Sequence, residues 1–94
     1  MKEPSLTEIK QRCEIPMNAK FLGWLIWNPL QDDFLWKYRE TPNTLSKEWV
    51  IYPDMALKLK KYKKAVKLKD DLSLRGKASV VAAFDCHPEI RIGN

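Results

Sequence analysis

The chain has 94 residues, enough for one domain and too few for two. An apolar fraction of 45%, with four Trp, three Phe and three Tyr, excludes a wholly disordered chain. The net charge of +5 is unevenly placed: residues 1–50 carry seven Lys/Arg against seven Asp/Glu, whereas residues 51–94 carry ten against five.

The opening residues Met1-Lys2-Glu3-Pro4 lack the apolar core of a secretory signal. Ser5 is placed to cap a helix beginning at Leu6, and Glu8 completes a capping-box pattern. Leu6, Ile9 and Cys13 follow at helical spacing, and Pro16 stops the helix. Residues 20–27 read as a strand, with Leu22, Trp24 and Ile26 on one face and Phe21, Leu25 and Trp27 on the other. Both faces are apolar, which places this strand centrally in a sheet. The same run is far shorter than the roughly 20 residues that a membrane-spanning helix needs, so no membrane partner is expected.

Asn28-Pro29-Leu30-Gln31-Asp32 forms a turn. Residues 33–39 alternate, putting Phe34, Trp36 and Tyr38 on one face and Leu35, Lys37 and Arg39 on the other, so that the pair of strands reads as a hairpin. Residues 41–44 are a loop, and residues 48–52 a third short strand ended by Pro53.

The spacing of Met55, Leu59, Tyr62 and Val66 predicts a main helix over 55–69, with Lys60, Lys63, Lys64 and Lys67 on its opposite face. That helix is expected to fray at Asp70-Asp71. A turn at Arg75-Gly76-Lys77 leads to a strand over 78–84. Residues 89–92 form an edge strand or a loose tail, and residues 1–4 and 90–94 are expected to fray from one compact domain spanning 1–94. The fold class is α+β: a small, mainly antiparallel sheet of three to four strands with two helices packed on one face.

No catalytic, cofactor or metal set emerges. Cys13 and Cys86 are too far apart and too few for a metal-ligand pattern or a secreted disulfide scaffold, and they read as reduced thiols of a cytoplasmic protein. In Asp85-Cys86-His87 the thiol and the imidazole are neighbours on a strand and point to opposite faces, poorly placed to act as nucleophile and base. Asp32-Asp33 and Asp70-Asp71 diverge in the same way, and there is no Gly-rich phosphate loop. The chain therefore reads as a non-enzymatic binding protein without a cofactor.

Two partners fit the composition. The first is nucleic acid, its phosphates met by Lys60, Lys63, Lys64 and Lys67, with Arg75 and Lys77 extending the patch. Lysines far outnumber arginines, so such binding would carry little sequence preference. The second is a protein, or another copy of the chain in a homodimer, docking on a sheet edge and on Trp24, Trp27 and Trp36. Four Trp are hard to enclose in one small core. Surface placement separates the two: a lysine patch free of acids favours the first, and a dominant apolar patch the second.

Overall fold

The computed structural model describes residues 2–74 and 76–94. The elements in chain order are α1 (Leu6–Arg12), β1 (Lys20–Asn28), β2 (Asp33–Thr41), β3 (Thr44–Val50), a 3-10 turn (Pro53–Met55), α2 (Tyr62–Asp71), β4 (Ser79–Cys86) and β5 (Glu89–Gly93). The strands form one antiparallel sheet in the order β3-β2-β1-β4-β5. It curves into a half-barrel with the two helices packed against it, an α+β fold. The central position of β1 follows from its two apolar faces.

The sheet has five strands, beyond the three to four expected. β3 starts at Thr44 rather than residue 48, because Pro42-Asn43 closes a tight hairpin in which Thr41 and Thr44 are paired. Its first residues, Thr44-Leu45-Ser46-Lys47, are a mostly exposed edge segment and carry no buried alternation to reveal a strand. Residues 89–93 pair with β4 from Cys86–Glu89 to Ala82–Gly93 and so do not fray.

α1 begins where the capping pattern predicts, with Ser5 Oγ accepting from the Glu8 N–H at 3.3 Å. Ile9 is its buried residue. The Arg12 guanidinium donates to the Asn94 carbonyl at 3.0 and 2.6 Å, tying this short helix to the end of β5.

The largest departure from expectation lies between residues 55 and 61. Only Tyr62–Asp71 is α-helical, and residues 56–61 precede it outside any helix. The reason is an opening in the sheet. β1 and β2 pair only at Trp27–Phe34 and Asn28–Asp33 beside their turn. Into that opening runs the segment around Leu57 and Leu59. The Leu57 N–H donates to the Leu35 carbonyl at 3.0 Å, and Leu59 exchanges hydrogen bonds with Trp24. Backbone groups of buried strands need partners, and this demand overrides the local helix propensity of Leu and Lys. At its far end α2 includes Asp70 and Asp71 rather than fraying before them.

Two irregularities exchange side chains between faces. A register shift at Gly23, whose φ is +146°, turns Phe21 toward Trp24 and Phe84 on the helix-covered face and Leu22 toward the other. A second shift between Leu35 and Lys37 breaks the expected row of Phe34, Trp36 and Tyr38. Phe34 packs with Leu25 and Val81, whereas Tyr38 lies beside Leu59 and Leu68 on the α2 side.

The helix-covered core joins Ile9, Trp24, Ala65, Ala82 and Phe84, and continues through Ile26, Leu35 and Leu72. Trp24 meets Tyr62 edge-on with ring centroids 4.9 Å apart. Ala65, fully buried, lets α2 approach the sheet closely. The other face packs Leu25, Phe34, Val81 and Ala83 against Ala56.

Candidate functional site

The lysines do not lie on one helical face. Lys60 precedes α2, and its ammonium donates to the Leu22 carbonyl at 2.9 Å. Lys63, Lys64 and Lys67 are exposed on α2, but Lys67 Nζ is 3.7 Å from Asp71 Oδ2, and Asp70 borders the same groove. The expected four-lysine face is thereby reduced and interrupted by acids, because residues 56–61 are not helical. Lys77 is exposed in the loop before β4, and Arg75 lies outside the described residues.

Lys58 acts as a clasp. Its ammonium donates to the carbonyls of Asp54 at 2.7 Å and Ala56 at 3.1 Å. Burial pushes its pKa down; the Asp54 charge opposes the shift and the nearby Lys60 adds to it.

The tryptophans are mostly engaged. Trp24 is 2% exposed and belongs to the core, so its ring is not presented to a partner. Trp27 is half-buried, with Nε1 donating to Asp32 Oδ1 at 3.0 Å. Trp36 is half-buried under the Lys37 ammonium, which stands 4.0 Å from its ring centroid. Trp49 packs on the cluster of Ile26 and Leu35.

Met17, Leu30, Tyr38 and Leu45 are exposed at separate places, and three more exposed apolar side chains fall close together in the chain. Ile51 and Tyr52 are each 64% exposed and Met55 is 51% exposed, all within one five-residue segment around the 3-10 turn. Beside it is a groove of about 290 Å³, walled by Tyr52, Pro53 and Asp54 on one side and by Pro88, Glu89 and Ile90 of the β4–β5 hairpin on the other. Sequence reasoning missed this ridge by assigning Ile51 and Tyr52 to a strand and Met55 to a buried helix face. The signal available was Pro53, which separates these apolar residues from any continuous element.

Among the described residues no reactive constellation converges elsewhere. A cavity of about 220 Å³ is bordered by Cys13, Trp27, Phe34, Val81 and Ile92, and the side-chain carboxylate there, Asp32, is already bonded to Trp27. Asp33 is half-buried, and its Oδ1 is enclosed without a hydrogen-bond partner among the described residues. Burial raises its pKa, its own backbone N–H opposes the rise, and Asp32 adds to it. Cys13 and Cys86 are half-buried free thiols, and the backbone N–H of His87 donates to Asp85 Oδ1 in a turn. Among the described residues no three His, Cys, Asp or Glu side chains gather as a metal set, and no helix is long and apolar enough to cross a membrane. No family model, no curated protein and no solved structure matches this chain.

Proposed function

We propose that the protein is a protein-interaction module that docks through the Ile51–Met55 ridge and the groove beside it. One observation carries this reading: three large apolar side chains, Ile51, Tyr52 and Met55, stand more than half exposed in five consecutive positions. Apolar exposure clustered along the chain in this way supports an interaction surface, whereas a lone exposed residue such as Leu30 is ordinary. Tyr is also among the side chains that anchor interfaces. The ridge is held in place by the Lys58 clasp on Asp54 and Ala56 and by the Leu57–Leu35 hydrogen bond, which lowers the ordering cost of docking. Asp54 and Glu89 supply a polar rim.

A polyanion partner is the weaker proposal. Lys63 and Lys64 support it by their exposure on α2. Against it stand the attachment of Lys60 to β1 and the pairing of Lys67 with Asp71.

The two readings separate in one experiment. A displayed library of random peptides is panned on the wild type, and in parallel single- and double-stranded nucleic acids are titrated at low salt. Two folded variants serve as comparisons, Ile51→Ser/Tyr52→Ala/Met55→Ser and Lys63→Glu/Lys64→Glu. Peptides that bind the wild type and the lysine variant but not the ridge variant are the expected result. Nucleic-acid binding that survives in the ridge variant and disappears in the lysine variant, with no peptide selected, would overturn the docking reading.

A further inference from the structure

We infer that the groove beside the ridge takes an extended, cationic segment of the partner protein, with Arg or Lys set among apolar residues. The inference rests on the docking reading above and adds the chemistry of the occupant. The chain carries a net charge of +5, yet both charged side chains lining this groove are carboxylates, Asp54 and Glu89. Among the described residues neither is in an ion pair. Lys58 feels the Asp54 charge, but its ammonium donates to the backbone carbonyls of Asp54 and Ala56 and forms no ion pair with the Asp54 carboxylate. Asp85, exposed and paired across the strands with Ile90, adds a third carboxylate to this end of the sheet, with Lys20 as its other cross-strand neighbour.

The walls suit the stem of a basic side chain. Tyr52, Pro53, Pro88 and Ile90 offer one aromatic ring, two stiff pyrrolidine rings and a branched aliphatic side chain. Arg and Lys lay their methylenes along such surfaces while the charged head reaches a carboxylate at the rim. Arg also stacks on aromatic faces. An extended form suits the neighbouring strand: β5 is the terminal strand of the sheet, and its first residues Glu89 and Ile90 line the groove. A peptide lying along a sheet edge is extended, with alternate side chains entering the pockets beside it. An acidic segment would meet like charge here and be rejected.

The test uses short fluorescein-labelled peptides that share one Leu/Pro framework and differ in bearing Arg, Ser or Glu at the variable positions. Binding is followed by anisotropy with the wild type, with Asp54→Lys/Glu89→Lys and with Tyr52→Ala, each checked for a cooperative melt. The Arg peptide is expected to bind the wild type about tenfold or more tighter than the Ser peptide, a lead of about 1.4 kcal/mol. That lead shrinks in about 1 M salt, where the Debye length is about 3 Å. In the charge-reversed variant the order inverts and the Glu peptide leads. An unchanged order in that variant, or no binding of the Arg peptide to the wild type, overturns the inference. If Ser and Arg peptides bind equally and Tyr52→Ala weakens both, the charge inference falls while the docking reading stands. Should the library also yield no ridge-dependent peptide, the docking reading falls with it.

Discussion

Trp24 and Leu59 exchange both of their backbone hydrogen bonds, Trp24 N–H to the Leu59 carbonyl at 2.6 Å and Leu59 N–H to the Trp24 carbonyl at 3.0 Å. This reciprocal pair seats the segment before α2 in the opening between β1 and β2. It also anchors the chain a few residues after the exposed Ile51–Met55 segment.

Gly23 is the residue that permits this approach. A Cβ there would stand 3.0 Å from Lys58 Cβ and 3.2 Å from the Leu59 carbonyl oxygen, on a backbone whose φ of +146° disfavours any side chain. Gly23→Ala is expected to cost about 2–3 kcal/mol. Urea unfolding should show a lower midpoint with an unchanged slope. A loss below about 0.5 kcal/mol would contradict the close approach.

Trp24 and Trp36 should respond differently to truncation. Trp24 is 2% exposed and contacts the rings of Phe21 and Tyr62, so Trp24→Ala is expected to cost about 3–5 kcal/mol. Trp36 is half-buried and sits at a register shift, so Trp36→Ala should cost under about 2 kcal/mol. Thermal or denaturant melts of the two variants check the ranking.

Gly93 holds α1 to the sheet by having no side chain. A Cβ at this position would lie 2.6 Å from Ile9 Cγ2 and 3.1 Å from Cys13 Sγ. Gly93→Ala is expected to lift the short helix from β5 at a cost of about 1–3 kcal/mol. The sensitive readout is hydrogen exchange, with amides of residues 9–13 losing protection ahead of those in β1 and β4.

Asp33 gives a pH signature. Its folded-state pKa is raised by burial, so the folded protein holds the proton more readily than the unfolded chain. The stability this group contributes is present below the ordinary carboxylate range and is lost as pH rises through the raised value. Asp33→Asn should therefore gain on the wild type as pH rises through that window and level off above it, by under about 1 kcal/mol because the residue is only half-buried. Melts of both proteins from acid to neutral pH check the sign. A stability difference that stays constant, or moves toward the wild type, as pH rises would contradict it.

The α+β class, the capped first helix, the central β1 and the strand at β4 were legible because each follows from a local signal: Ser5 with Glu8, two apolar faces over residues 20–27, and the Val80-Val81 pair with Phe84 between Gly76 and Pro88. The fate of residues 55–61 was not legible as helix against strand. Met55, Leu59 and Tyr62 fit a 3.6 period, while Leu57-Lys58-Leu59-Lys60 equally fits a period of two. What decides is a vacancy between β1 and β2 that only the assembled sheet creates. The same blindness hid the ridge. Ile51, Tyr52 and Met55 are apolar in composition, and their exposure depends on where the 3-10 turn leaves the sheet. Of the proposed contact residues, Trp24 failed for a related reason: strand alternation fixes which face a ring takes, and says nothing of what covers that face.

The most direct test of the docking surface is chemical-shift mapping on isotopically labelled protein, titrated with a peptide recovered from the library. Perturbed amides are expected to cluster at residues 51–55 and 88–90, with residues 61–67 of the lysine-rich segment unchanged. Perturbations concentrated at residues 61–67, with 51–55 and 88–90 silent, would contradict the docking reading.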